Sequence, residues 1–461
     1  MTRPRLPSPA SRRIKRATAA IVRAALTAVD PVRLISGRFR VRRERLQIGG
    51  KTFDLRKFRL LHVLAAGKAA PGMAAAVCAA LGNRLAGGVV VAPAGGKRHM
   101  PPLHYFRAAH PLPDRSSLLA GRAVMDYVRC HVGPRDLVIA LISGGASSLL
   151  AAPETGITLA DKIRINRKLL RSGADIREIN AVRQAMSALK GGKLARLIAP
   201  AALATLVLSD IPASPLAAVG SGPTVESGER PEAALRILKK YKIFQTLNPR
   251  LKRFFSIKNR AHSSPNPLAA SSTSRLPSFA PSPFSYVFLL GSISTALKAA
   301  RSKAGELGFN AHILTACECG DARQAAGRTG RLLRRIAARG EPFQPPVMLL
   351  AGGELTVKVR GRGKGGRNQE FILALLREWK DFQRPFFALS LGTDGRDGPT
   401  PAAGAWIDER SFAQAQELGL DVDHFLERND SHHFFKKMDQ LIVTGATGTN
   451  VADLRLFYVS G

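Results

Sequence analysis

The stretch that most constrains the fold is LVIALISGGASSLL, residues 137–150. Leu137 to Ile142 form an unbroken apolar run, which fits a strand covered on both faces, as in a parallel sheet flanked by helices. Ser143-Gly144-Gly145-Ala146-Ser147-Ser148 follows directly. Glycine and serine permit a tight turn there and leave backbone N–H groups to face an anion at the start of the next helix.

The same succession recurs on either side. LLHVLAAGKAAPGMAAAVCAALG reads as a strand, a Gly-Lys turn and an Ala-rich helix, and GGVVVAPAGG as a further strand. DRSSLLAGRAVMDYVRCHV reads as a helix with Asp114 near its start, and LATLVLSDIP as a strand ending in an acidic residue. IREINAVRQAMSALKGGKLARLIAP reads as a long amphipathic helix interrupted or ended at Gly191-Gly192. Alternating strands and helices predict a mostly parallel sheet with helices on both faces. Ligands in such sheets bind beyond the carboxyl ends of the strands, where Lys68, Ser143 to Ser148 and Asp210 fall.

At 461 residues the chain is long enough for two or three cores. Residues 259–284, NRAHSSPNPLAASSTSRLPSFAPSPF, are Ser/Pro-rich and read as a linker or long surface loop. A second α/β region follows, in which PVMLLAGGELTVKV, RPFFALSLGTDG and QLIVTGATGTN read as strands running into glycine turns. The predicted organisation is an N-terminal Rossmann-like domain over 17–258, the linker, and a C-terminal α/β domain over 285–461.

No apolar run reaches the length of a membrane span. The four cysteines form no CxxC pair and no zinc spacing, which fits reduced thiols in a cytoplasm. The first 30 residues are basic and carry no acid before Asp30. They read either as an organellar transit peptide, placing the protein in a matrix, or as a short basic tail before a first helix. The second reading is preferred, because Ile21, Ala24, Ala25 and Ala28 make an apolar stripe that Asp30-Pro31 ends. The net charge is +37, with 70 Lys and Arg against 33 Asp and Glu. This charge is spread along the chain without interleaved aromatics, so the sequence predicts no specific nucleic-acid site, only weak nonspecific affinity for polyanions.

The chain contains no GxxxxGK[ST], no HExxH and no GxSxG. The run Gly361 to Gly366 is too basic, and follows too polar a strand, for a dinucleotide fingerprint. What recurs is a glycine turn at a strand end with a charged neighbour, at Gly67-Lys68, Ser143-Gly144-Gly145, Gly191-Gly192-Lys193, Gly352-Gly353-Glu354, Gly363 to Arg367 and Gly392-Thr393-Asp394-Gly395. Phosphoryl transfer needs donors for phosphate oxygens, fixed cations and a carboxylate or two for magnesium, and this set supplies each type.

LISGGASSLL, ITLADKIRINRKLLRSGADIREINAVRQAMSALKGGKLA, LVLSDIP with SGPT, GGELTVKVRGRGKGGRNQEF, LGTDGRDGPTPAAGAWID and LIVTGATGTNVADLR together resemble the glycerate 2-kinase family with a C-terminal MOFRL domain. Some members of that family carry the label of hydroxypyruvate reductase. The resemblance runs in order from about residue 17 to the C-terminus. It implies two α/β domains with the active site in the cleft between them. It also implies ATP-dependent phosphorylation of D-glycerate at the 2-hydroxyl, with Mg2+ or another divalent cation.

The family's Gly-Lys turn falls on Gly67-Lys68, where the lysine would neutralise a transferring phosphoryl group or the substrate carboxylate. Its GGRNQE element falls on Gly365 to Glu370, where Arg367 would clamp phosphate or carboxylate bidentately. Asp210 is the candidate general base or metal ligand, with Glu354 a second metal candidate. Phosphate contacts are expected from Ser143, Gly144, Gly145, Ala146, Ser147, Lys193, Gly352, Gly353 and Gly366. Substrate contacts are expected from Asn180, Arg183, Lys190, Asn368 and Asp394, while Asp397 is a carboxylate at a turn without a separate role.

Three departures from the family pattern stand out. The segment after Asp210 lacks the usual acidic turn, Val225-Glu226 stands where an Asp-Pro-Thr run is usual, and Ala146 replaces a third glycine. The first weakens the case for a metal at Asp210. Two further readings follow, a hydroxypyruvate reductase and a polyanion-binding relative with weakened catalysis. The missing dinucleotide fingerprint counts against the first of these, and Lys68, Arg367, Asp394 and TGATGTN count against the second.

Overall fold

In the computed structural model, which describes residues 9–93, 100–211, 216–226, 231–260, 285–380 and 384–461, the strands Leu61–Ala66, Leu137–Ser143 and Ala202–Leu208 are buried at every position. Their mostly apolar sequences, broken only by His62, Ser143 and Thr205, are explained by cover on both faces. Together with Leu85–Ala92, Leu103–Arg107 and Ser285–Gly291 they make a six-stranded sheet. In spatial order its strands begin at Leu103, Leu85, Leu61, Leu137, Ala202 and Ser285. The pairings from Leu103–Arg107 through to Ala202–Leu208 are all parallel. The chain winds outward one way from Leu61–Ala66 and the other way from Leu137–Ser143, so the two neighbours flank a topological switch point.

The second six-stranded sheet is mixed. Ala311–Asp321 and Val347–Thr356 pair in parallel, while Asp453–Val459 runs antiparallel to Val347–Thr356 on one side and to Phe386–Gly392 on the other. Gly404–Asp408 pairs next to Phe386–Gly392, and the edge strands are Ala311–Asp321 and the two-residue Leu441–Ile442. The buried helix Arg367–Glu378 covers this sheet.

The chain divides into two compact units. One comprises residues 35–208 and 214–290 and holds the parallel sheet. The other comprises the stretch up to Leu34, residues 209–213 and residues 291–461. The helix Pro9–Ala28 belongs to this second unit and packs against Ile293–Glu306, burying Ile14, Ala17, Ile21 and Ala25. Residues 1–8 and 261–284, and with them most of the expected linker, lie outside the described residues.

Three local expectations are corrected. The helix from Ile176 ends at Ala185, and a separate short helix, Lys193–Ile198, starts after the glycine pair. Gly352 and Gly353 lie inside the strand Val347–Thr356 and form no turn. A Cβ on Gly352 would stand 2.3 Å from Ile293, and one on Gly353 would stand 2.0 Å from the Glu318 carbonyl oxygen. These glycines therefore let a helix and a neighbouring strand approach. Residues 39–54, for which no element was predicted, form a three-stranded antiparallel sheet with Phe39, Leu46, Ile48 and Phe53 buried.

Candidate functional site

At the switch point two turns interlock. The Lys68 N–H donates to the Gly144 carbonyl at 2.9 Å, and the Ala69 N–H donates to Ser143 Oγ at 3.1 Å. Gly67 has φ +132°, and a Cβ there would stand 2.1 Å from Ser143 Oγ, so glycine is required. Gly145 is left-handed, and its open side faces His110 and the Lys68 stem, with Lys68 Cγ 3.4 Å from where a Cβ would be. Lys68 is half-buried. The helix that opens this turn is only four residues, Ala146–Leu149, so it carries little of the dipole assumed in the sequence argument. Ser148 and Leu149 turn their N–H groups back to the Gly145 carbonyl.

Beyond this turn the same unit gathers cations. Lys190 is 3% exposed and donates to the Ser147 carbonyl and, at 2.9 Å, to Ser147 Oγ. Burial, reinforced by Lys162 and Arg183, holds its amine well below the ordinary lysine value. Arg183 donates to Asn166 at 3.1 Å and faces Asn180 at 3.5 Å; burial lowers its affinity for a proton too. Asn180 accepts from Ser221 Oγ at 3.0 Å, and Ser221 Oγ lies 2.9 Å from Ser147 Oγ. Lys193 bonds Glu154 and the carbonyls of Gln184 and Ser187. Asn180, Arg183, Lys190, Lys193 and Ser147 are thus brought together.

Lys162 belongs to this cluster and was missed. It lies in the first turns of the helix Leu159–Arg171, where the pattern of an amphipathic helix gives a lysine to solvent. Instead it is 3% exposed, and its Nζ has no hydrogen-bond partner among the described residues. Burial, then the charges of Lys193 and Arg183, brings its amine down to about 8, against the pull of Glu154. The one sequence signal was a lysine close behind the Thr158–Asp161 capping box, where a cation opposes the helix dipole.

In the second unit the expected residues are tied to one another. Arg367 donates through Nε and Nη2 to Asp453 at 2.7 and 2.9 Å, and through Nη1 to Glu354 at 2.6 Å. Burial works against its charge, but Asp453 and Glu354 hold the proton more firmly than usual. Its bidentate edge, reserved above for a ligand, is therefore occupied by Asp453. Beneath lies the fully buried Arg455, bonded to Glu318 at 3.0 Å and 3.5 Å from Asp453. Neither Asp453 nor Arg455 was singled out in the sequence, because an aspartate and an arginine in an alternating strand read as its polar face.

The start of the helix Arg367–Glu378 is closed by the protein itself. Asp397 accepts the N–H groups of Asn368 and Gln369 at 3.0 and 2.8 Å and both side-chain amides. Burial raises its carboxyl above the ordinary range despite these donors. A Cβ on Gly366 would stand 2.3 Å from the Asp397 carboxyl carbon, so Gly366 makes room for that carboxylate and not for phosphate. Asn368, expected at the substrate, is fully buried, with its carbonyl oxygen taken by Ser390. Asp394 caps its own turn by accepting from the Arg396 N–H at 3.0 Å. Thr447 and Val451 bond Thr393, stitching the TGATGTN loop to that turn. Asp210 lies 3.4 Å from the Asn450 amide.

Asp210 and Glu354, the expected metal ligands, join no larger ligand group: among the described residues, no cluster of three or more His, Cys, Asp or Glu side chains could hold a metal. Among the described residues no helix is long and apolar enough to cross a membrane.

Residues 17–256 match the domain of unknown function DUF4147, and residues 347–453 match the MOFRL family. The chain is 36% identical to glycerate 2-kinase of Pyrococcus horikoshii over 441 residues, which cover 95% of this chain and 96% of that protein. It is 35% identical to glycerate kinase of Homo sapiens over 472 residues, covering 90% and 87%. The crystal structure of glycerate kinase from Thermotoga maritima superposes with a TM-score of 0.78 at 32% identity, covering 97% of this chain and 99% of that one. Sequence, domain order and fold agree over nearly the whole length, and the chain belongs to the glycerate 2-kinase family with a C-terminal MOFRL domain.

Proposed function

We propose that the protein transfers the γ-phosphoryl group of ATP to the 2-hydroxyl of D-glycerate, giving 2-phosphoglycerate and ADP. The observation that carries this reading is the 36% identity to a glycerate 2-kinase over 95% of the chain. The interlocked turns at the sheet's switch point support it, because that is where parallel sheets bind ligands. In this reading the kinase domain spans 17–258 and the MOFRL-type domain 285–461 in sequence, with the strand Ser285–Gly291 completing the sheet of the first unit.

Lys68 meets the charge that migrates with the phosphoryl group, beside the N–H groups of the 143–148 turn. Asn180, Arg183 and Lys190 hold anionic oxygen atoms of the substrates. In this reading Asp210 takes the proton of the attacking hydroxyl or binds a cation. Arg367 acts by fixing Glu354 and Asp453. A magnesium ion supplies charge neutralisation on the phosphate oxygens when bound. The sparse carboxylates suit such an ion, which keeps waters and substrate oxygens and needs only one or two protein ligands, with Asp210 and Glu354 as the groups to hold it.

The test is ADP release from ATP with D-glycerate, with and without chelator, alongside NADH and NADPH oxidation with hydroxypyruvate. Phosphorus NMR of the product identifies the phosphorylated carbon. Glycerate-dependent ADP release with 2-phosphoglycerate as product is expected. Reduction of hydroxypyruvate without ADP release would replace the kinase reading by the reductase one.

A further inference from the structure

We infer that Lys162, Lys190 and Arg183 form a buried oxyanion pocket whose charge is completed by a ligand's carboxylate or phosphoryl oxygens, with Lys162 as a direct binding residue. The inference rests on the kinase reading for the identity of the ligand, but not for the existence of the pocket.

The charge balance is the first argument. Lys162 feels the charges of Lys193 and Arg183, and Lys190 those of Lys162 and Arg183; the carboxylate that acts on Lys162 among the described residues is Glu154, which Lys193 already bonds. The neighbouring Asp161 is no counter-ion, since it is held by Thr158, Arg164 and Arg250. Among the described residues these four cations face one carboxylate, a positive excess. Two of those cations, Lys162 and Lys190, are each 3% exposed. Removing a charge from water without a partner is costly, and a chain folding only for stability would carry an apolar side chain there.

The second argument is the geometry of the donors. Lys190 and Arg183 are oriented by neutral oxygens, those of Ser147 and Asn166. Lys162 Nζ has no acceptor among the described residues. Ser147, Ser221 and Asn180 form a hydroxyl–amide chain along the same wall. A planar carboxylate or a phosphate brings two or three acceptor oxygens, which this donor-rich wall lacks.

The third argument is location. Ser147 belongs to the turn that begins at Ser143 and interlocks with Gly67-Lys68, so the pocket continues from the switch point. Glycerate offers a carboxylate and ATP offers phosphates, and the same donors suit either.

The test is thermal unfolding of the full chain at matched ionic strength, with D-glycerate alone, ATP without metal, or inorganic phosphate alone. The unfolding midpoint of the natural protein is expected to rise with at least one. A rise with D-glycerate only assigns the pocket to the carboxylate, and a rise with ATP and phosphate only assigns it to phosphoryl oxygens. Lys162→Met is expected to raise the ligand-free midpoint by about 2 °C or more and to weaken the anion about 10- to 100-fold. Should that variant not fold, titration calorimetry of the natural protein in buffers of different ionisation enthalpy gives a second readout. Anion binding near pH 8 is then expected to take up protons. The inference is overturned if no anion shifts the midpoint, if Lys162→Met binds the anion as tightly as before, or if binding takes up no proton. Anion-dependent stabilisation without glycerate-dependent ADP release would sink the kinase reading alone. Normal ADP release by Lys162→Met with both KM values unchanged would sink the pocket alone.

Discussion

At the scale of single residues, Lys68 and Arg367 are both cations beside an expected phosphate, yet their surroundings differ. Lys68 is half-buried on a turn fixed by backbone contacts, so its charge can be removed with little strain. Lys68→Ala is expected to lower kcat about 100-fold, the worth of about 3 kcal/mol from one fixed donor, with the urea unfolding midpoint nearly unchanged. Arg367→Ala leaves Asp453 buried without its bidentate partner and is expected to cost about 3–5 kcal/mol of stability in the same urea titration. Lys162 gives a pH signature. Its amine titrates near about 8 in the fold against 10.5 ordinarily, so between these values the unfolded chain holds a proton that the folded chain lacks. The stability of the ligand-free protein should therefore rise from about pH 8 to about pH 10, by up to about 1.4 kcal/mol per unit from this group. Lys162→Met should lose that slope, its advantage over the natural protein shrinking as pH rises. Urea titrations across this range check both statements.

At the scale of elements, the helix Arg367–Glu378 owes its start to a carboxylate from elsewhere in its unit. Asp397→Ala would strand two backbone N–H groups and two side-chain amides in a buried place. Each stranded donor costs about 1–3 kcal/mol, so the variant should unfold at clearly lower urea, whereas Asp397→Asn, which keeps an acceptor, should lose less. The same element shows what the sequence could and could not tell. Strands such as Leu137–Ser143 were legible because burial on both faces leaves no polar position to confuse the pattern. The sheet over 39–54 was not, because strands of four residues among arginines and other polar side chains hid a period-two alternation of buried Phe39, Leu46, Ile48 and Phe53. Gly352 and Gly353 look in sequence like the turn glycines 144 and 145, since a glycine needed for φ and one needed for close approach are the same letter. In the candidate site, Lys68 was singled out from its position after a strand and Asn180 and Arg183 from theirs on a helix, whereas Lys190, read as helical, lies in the turn between two helices. The burial of Lys162 was not legible, because no local pattern distinguishes a solvated helix lysine from one packed among other cations.

At the scale of the whole molecule, a net charge of +37 implies self-repulsion at low ionic strength. Raising NaCl from about 50 mM to about 500 mM shortens the screening length from over 10 Å to under 5 Å. The unfolding midpoint should rise over that series, with most of the gain at the low end; a flat response would mean that the charges are spaced widely enough to ignore one another. The C-terminal sheet also imposes an order of assembly. Asp453–Val459 lies between Val347–Thr356 and Phe386–Gly392, and it is the last of the six strands to be synthesised. Until it emerges from the ribosome, the parallel pair and the antiparallel group have no shared ladder and each presents an open edge. The helix Pro9–Ala28 waits for Ile293–Glu306, which is made before any strand of this sheet. Each newly made copy therefore passes through two exposures in turn, and during the second chaperone capture competes with the arrival of seven central residues.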